Sequence, residues 1–331
     1  MADRFLLVLW LTDRCNLSCS YCYAAACPQG RDMDFETAKL AIDALSSHPL
    51  KIQFAGGEPM LNFPLAERIC AYVREKGLDA VFQLQTNGTL LTEALVRRLR
   101  ENRISVGVSL DGIPEINDLT RGQTQSAVRG IRLLGEQGIS IGLNAVVTSQ
   151  NVEALPKLVD FALYLGNVGG IGVDLLRHAG RGSTRPDADP RALKAAFTAM
   201  ADRTRQLKQL LGVSIDLREL VLARKRLQGQ GDRNHYCYAS CGRSAVVLPD
   251  GRTYPCGSLL SPEFSMGSVK ALDPENLRSL PRQDRPLCGD CPYGPFCPGG
   301  CPSRQIRNHN DLECVLLKTA FQLAERDLYE N

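Results

Sequence analysis

Three cysteines near the start of the chain, Cys15, Cys19 and Cys22, are spaced C-x3-C-x2-C within CNLSCSYC. Thiolates this close in sequence can grip one iron–sulfur cube from a single loop. A [4Fe–4S] cube has four irons, each normally held by a Cys thiolate. Three thiolates leave one iron without a protein ligand. An open metal position is where chemistry takes place, as opposed to electron storage. The competing readings are a zinc site or a disulfide pair. Zinc asks for a fourth Cys or His, which only Cys27 offers nearby.

The elements that must position these cysteines follow from the hydrophobic pattern. Residues 5–11 (FLLVLWL) form a continuous apolar run, the mark of a buried strand, so the cysteine loop lies just past the end of a first strand. Strand patterns recur at 51–55, 80–86, 104–110, 139–147 and 170–176, alternating with helical patterns at 34–46, 63–76, 91–101, 124–137 and 153–165. Asp34 is placed to cap the first helix, and Gly77, Gly138 and Gly166 to close three others. Strand–helix repeats with short loops predict a parallel sheet with right-handed crossovers. In a (β/α) barrel the loops after the strands form the active-site face.

The run CNLSCSYCY, with Tyr21 before its third cysteine, resembles the radical S-adenosylmethionine (SAM) superfamily. The resemblance implies an α/β fold, a partial (β/α)6 TIM-like barrel open on one side. It also implies that SAM binds the open iron through its amino and carboxylate groups. One electron then splits SAM into methionine and a 5′-deoxyadenosyl radical, which takes hydrogen from the substrate. Further motifs fall at the expected strand ends. Gly56, Gly57 and Glu58 of GGEP follow the second strand, where the family places its SAM amino-group site. Asn87 lies in a TNG turn after the third strand. Ser109 and Arg121 match a SAM-contacting pair of the related sulfatase maturases, and a guanidinium fork suits a carboxylate. Leu175, at the end of the sixth strand, is assigned to the adenine pocket by the same resemblance.

Eight more cysteines follow a polar region. Residues 178–190 read as a loop, and 191–212 and 215–228 as polar, basic bridging helices. The spacings Cys237-x3-Cys241-x9-Gly251-x4-Cys256 and Cys288-x2-Cys291-x5-Cys297-x3-Cys301-x12-Cys314 resemble the SPASM domain with one extra upstream cysteine. Eight thiolates divide into two four-ligand sets, and the sequence alone permits several partitions. By the resemblance, Cys237, Cys241, Cys256 and Cys301 hold an inner auxiliary cluster, and Cys288, Cys291, Cys297 and Cys314 an outer one. Two zinc sites are the competing reading. Residues 245–256 read as a hairpin turning at Pro-Asp-Gly. The expected organisation is a barrel over 1–180, bridging helices over 181–235 and a SPASM domain over 236–331. Cys70, within a helix, reads as core, and His48, His178, His235 and His309 show no pairing that suggests a metal site.

Composition sets the context. The net charge of +3 over 331 residues is too small to imply nucleic acid as a partner. No apolar stretch reaches the roughly 18 residues of a membrane span, and no signal peptide is evident. A cytoplasmic setting is expected, and there 13 cysteines argue for metal or redox chemistry rather than disulfides.

Proteins with this pair of domains mostly modify ribosomally made peptides. The expected activity is therefore hydrogen abstraction from a peptide or protein, giving a crosslink or an oxidation. The expected cofactors are three [4Fe–4S] clusters and SAM, with a flavodoxin or ferredoxin-type reductant. The short lead before Cys15 leaves no room for a leader-gripping winged domain, so a peptide would need a separate carrier or the barrel mouth itself. A sulfatase maturase that makes formylglycine is a rival. Those enzymes carry a catalytic aspartate directly after the third SPASM cysteine, where this chain has Gly257, and a glutamine before GGEP, where it has Ala55. Asp174, at the end of the sixth strand, is a substitute candidate for the base. Two further rivals are modification of a small cofactor precursor, tetrapyrrole or tungsten cofactor, and an iron–sulfur protein that only relays electrons. The basic stretch Arg177, His178, Arg181 and Arg185 reads as a solvated loop.

Overall fold

The computed structural model describes residues 4–280, 288–307 and 311–329. His309 lies outside the described residues. The strands are β1 (Phe5–Thr12), β2 (Leu50–Gly56), β3 (Ala80–Thr86), β4 (Ile104–Ser109), β5 (Ile141–Val147), β6 (Val168–Leu175), β7 (Asp216–Leu217), β8 (Ser244–Val247) and β9 (Thr253–Tyr254). The helices are α1 (Phe35–Ala44), α2 (Phe63–Glu75), α3 (Glu93–Glu101), α4 (Pro114–Thr120), α5 (Thr124–Glu136), α6 (Leu155–Leu165), α7 (Pro190–Leu211), α8 (Arg218–Leu227), α9 (Pro302–Arg307) and α10 (Leu312–Tyr329). Among the described residues, no helix is long and apolar enough to cross a membrane.

The expected strand–helix alternation is present. The Asp34 side chain accepts from the Thr37 amide and opens α1, and Gly166 closes α6 with a φ of 83°. The nine strands form one sheet in the order β7-β6-β5-β4-β3-β2-β1-β8-β9. Neighbours from β7 to β8 run parallel, and β9 returns antiparallel to β8. The hairpin after residue 236 thus extends the barrel sheet along β1, so one sheet crosses the expected bridging region. α10, which no sequence motif announces, packs on α7 and α8.

The two faces of this sheet differ. On β2, Leu50, Ile52 and Phe54 are fully buried against the helices, while Lys51, Gln53 and Ala55 face the interior and stay partly accessible. β3 and β5 alternate in the same way, with Gln83, Gln85 and Asn144 turned inward. Each buried Leu, Ile or Phe on the helix side contributes about 1.5–3 kcal/mol. The inward amides contribute no such term, so the core lies outside the barrel and the inside is left for a ligand. β1 is the exception, because its inner face is covered: Val8 and Trp10 pack against Val246, Leu248 and Tyr254 of the hairpin region.

Candidate functional site

A cavity of about 540 Å³ opens at the C-terminal ends of these strands. Its wall includes Cys15, Cys19, Tyr21, Cys22, Gly56, Gly57, Glu58, Asn87, Ser109, Arg121, Asp174 and Leu175. These are the N-terminal triad, the expected SAM-contacting residues and the expected base, brought together from β1 to β6.

The cysteine loop is held from two sides. The Gly57 amide donates to the Thr12 carbonyl and the Glu58 amide to the Arg14 carbonyl, both at 2.8 Å. A side chain at 57 would bring its Cβ to 2.2 Å of the Arg14 carbonyl oxygen, so the glycine is needed for this contact. On the other side, Arg181 donates to the carbonyls of Cys19 and Ala26, each at 2.9 Å, and Arg185 to that of Ser20 at 3.2 Å. This corrects the expectation of a solvated basic loop at 177–185. The cysteine loop has carbonyls with no ladder partner, and buried carbonyls need donors.

The three thiols face the cavity, and among the described residues no fourth cysteine or histidine joins them there. Cys27 is exposed, and its thiol donates to the Gln29 carbonyl. Burial pushes the Cys15 and Cys19 thiols up, a cost that a metal repays when it takes them as thiolates. Among the described residues no three His, Cys, Asp or Glu converge tightly enough to grip a single ion. A four-iron cube spans more space than one ion, and three thiols around a cavity fit it.

Arg121 is aimed by a buried cluster. Its Nη1 donates to the Tyr21 hydroxyl at 2.6 Å, and that hydroxyl donates to the Asp111 carboxylate. Thr120 Oγ1 donates to the same carboxylate at 2.9 Å. Burial opposes the charge of Arg121, but Tyr21, Cys19 and Asp111 outweigh it, and the guanidinium stays charged. Asp111 is fully buried, and no motif in the sequence singles it out; its one signal is a polar residue directly following an apolar strand. Glu58 is also buried, and its carboxylate accepts from Thr86 Oγ1 (2.6 Å), the Asn87 amide (2.8 Å) and the Met60 amide (3.1 Å). It therefore ties the GGEP turn to the TNG turn. Asn87 Nδ2 donates to Asn16 Oδ1 at 3.0 Å, on the cysteine loop. Gln85 Nε2 donates to Ser109 Oγ at 2.9 Å.

Asp174 sits between two arginines. Arg177 donates to it at 3.1 Å, and Arg304 of α9 binds it directly. Burial would raise its carboxyl, but Arg177, Arg304 and Arg218 outweigh that and hold it well below the usual carboxylate range. Arg304 continues to Glu313, so the pairs join β6 to α10. The same arginines lie beside Cys301: burial opposes its ionisation, but Arg304 and Arg177 prevail and lower the thiol. Cys237, whose thiol is pushed up to about 11 by burial, lies near Cys301 and Cys256. Cys288, Cys291, Cys297 and Cys314 line a separate small cavity with Tyr293 and Phe321. Cys70 lies buried in α2, its thiol pushed up to about 12 by burial, as a core residue.

Residues 11–162 match the family described as the radical SAM superfamily. The uncharacterized protein MJ0907 of Methanocaldococcus jannaschii is 34% identical over 263 residues, which span 76% of this chain and 85% of that one. The chain belongs to the radical SAM superfamily. Membership implies a [4Fe–4S] cluster and SAM, and the triad and its cavity fit both. Fe-coproporphyrin III synthase of Methanosarcina barkeri is 39% identical over 222 residues, 62% of this chain but only 53% of that protein. The cysteine-type anaerobic sulfatase-maturating enzyme of Clostridium perfringens is 25% identical over 98% of this chain and 97% of its own length. The solved structure of native anSMEcpe with bound AdoMet matches with a TM-score of 0.83 at 21% identity, covering 98% of each chain. That likeness shows the fold: an α/β radical SAM barrel with a cysteine-rich C-terminal region.

Proposed function

We propose that this radical SAM enzyme acts on a tetrapyrrole-type macrocycle bearing several carboxylates, removing the carboxylate of a side chain as carbon dioxide and leaving an alkene. The observation that carries this reading is the charge of the cavity. Lys51, Arg121, Arg177, Arg181 and Arg218 line it against only Glu58 and Asp174, so positive charge exceeds negative even though Arg177 pairs with Asp174 and Arg218 with Glu219. A cationic interior suits a polyanionic substrate. The names of two relatives, Fe-coproporphyrin III synthase and the AdoMet-dependent heme synthase of Methanosarcina barkeri, place tetrapyrroles among the relatives' products.

When bound, the cluster and SAM supply a 5′-deoxyadenosyl radical. The residues of this chain do the positioning. Arg121, aimed by Tyr21 and Asp111, takes the SAM carboxylate, with Asn87, Ser109 and the GGEP turn around the rest of SAM and Leu175 beside its adenine. No carboxylate follows Cys256: Gly257 packs there, with a Cβ position 3.4 Å from the Trp10 ring. Decarboxylation does not need one. After hydrogen is lost, one electron of the breaking C–C bond completes an alkene, and the other passes to a one-electron acceptor. Cys237, Cys241, Cys256 and Cys301, and Cys288, Cys291, Cys297 and Cys314, would hold iron–sulfur clusters that would supply such an acceptor. Asp174, kept ionised by its arginines, serves as their anchor rather than as a base.

A second reading is peptide modification, favoured by the full-length match to the cysteine-type maturase. Anaerobic incubation with SAM, dithionite and Fe-coproporphyrin III separates the two. Release of 5′-deoxyadenosine above a Cys15→Ala control, with a product lighter by carbon dioxide and two hydrogens, supports the tetrapyrrole. An unchanged macrocycle, together with a mass change in a short peptide encoded beside this gene, supports the maturase.

A further inference from the structure

The barrel interior holds a cation with no partner among the described residues. Lys51 faces the cavity from β2, half-buried, and has no hydrogen bond or ion pair among the described residues. Burial pushes its ammonium below the usual lysine range. Gln53, two residues along the strand, is in register with Gln83 on β3. Both amides line the same cavity, and neither has a side-chain partner among the described residues.

The neighbouring amides toward the C-terminal ends of the strands are satisfied. Arg218 Nη1 donates to Asn144 Oδ1 at 3.0 Å, Asn144 Nδ2 to Gln85 Oε1 at 2.8 Å, and Gln85 onward to Ser109. Glycines make room for this chain of amides, since a Cβ at Gly107 would stand 2.6 Å from Gln85 Oε1 and one at Gly172 2.5 Å from Arg218 Nη1. Unmet hydrogen-bonding capacity among the described residues is thus gathered at Lys51, Gln53 and Gln83, around one positive charge. Charges withdrawn from water are costly unless paired. The complement of one ammonium and two neutral amides is a single negative charge with two acceptor oxygens. A phosphate dianion would call for a second cation or a cradle of backbone amides. A carboxylate calls for neither.

Depth adds a length. Lys51 lies four residues before Ala55, which is level with the GGEP turn. At about 3.3 Å per residue that is roughly 13 Å along the strand. We propose that Lys51, with Gln53 and Gln83, binds a second carboxylate of the substrate, one that lies deep in the barrel while another part of the molecule meets the cofactor. This rests on the reading of the substrate as a polycarboxylate macrocycle, which presents one acid to the reacting centre and has another to anchor.

The test uses protein reconstituted with its clusters and SAM, and fluorescence titration with coproporphyrin III. Lys51→Met is expected to weaken binding about tenfold or more, and Lys51→Arg to restore most of it. The tetramethyl ester of coproporphyrin should bind native and Lys51→Met protein alike. Matching iron content and circular dichroism show that the variants are folded. Equal affinity of native and Lys51→Met protein for coproporphyrin III overturns the site. If native protein does not bind the porphyrin, the tetrapyrrole reading fails, and the site is then tested with a dansylated hexapeptide carrying a free C-terminal carboxylate and with its amide. A preference for the acid that Lys51→Met abolishes keeps the site without the tetrapyrrole. No preference in native protein overturns both.

Discussion

At the residue scale, the site works through side chains that aim other side chains. Tyr21 is the clearest case, because it links the Arg121 guanidinium to the Asp111 carboxylate. A hydrogen bond to a charged group contributes about 1.5–3 kcal/mol. Tyr21→Phe is therefore expected to weaken SAM binding roughly tenfold or more while the cluster stays in place; equilibrium dialysis with SAM and an iron assay read the two effects. Arg304 is the second case. Its side chain is 8% exposed and pairs with Glu313, which is 7% exposed, and with Asp174. Removing one partner of a buried pair leaves uncompensated charge and costs about 3–5 kcal/mol. Arg304→Met should lower the urea midpoint accordingly, and Arg304→Lys should recover only part of the loss, because a lysine cannot fork between two carboxylates.

At the element scale, the end of β2 and the cysteine loop after β1 are one unit. Paired amides join them, and the missing side chain at Gly57 lets the Arg14 carbonyl come close. Gly57→Ala forces that carbonyl away and the cysteine loop with it. The expected outcome is selective loss of iron from the N-terminal site, with the C-terminal cysteines still loaded. Iron analysis and the electron paramagnetic resonance signal of the reduced protein, with and without SAM, check it; an unchanged SAM-dependent signal would contradict it. The other side of the loop is held by Arg181, which sits after β6 and therefore ties the last full strand of the barrel to the first.

At the scale of the whole molecule, β8 pairs with β1, so the cysteine-rich region grows out of the barrel sheet. The C-terminal thiols are thereby set at fixed distances from the cavity. Replacing Cys15, Cys19 and Cys22 together by Ala is expected to abolish SAM cleavage and reduce bound iron by about four per chain. Retention of all the iron would show that the triad holds none. What the sequence determined by itself is local. The alternation of FLLVLWL, KIQFA and AVFQLQT with helical segments, the Asp34 cap and the cysteine spacings each depend on neighbours a few residues apart, so the alternating elements and the parallel sheet were legible, while the pairing of β8 with β1 was not. Arg181 reads as solvated and Asp111 carries no motif, because their partners lie 162 and 90 residues away and no periodicity encodes such a distance. The same holds for Lys51. The sequence shows a lysine in a strand, but only the folded sheet turns that lysine into the cavity, where no described carboxylate pairs with it.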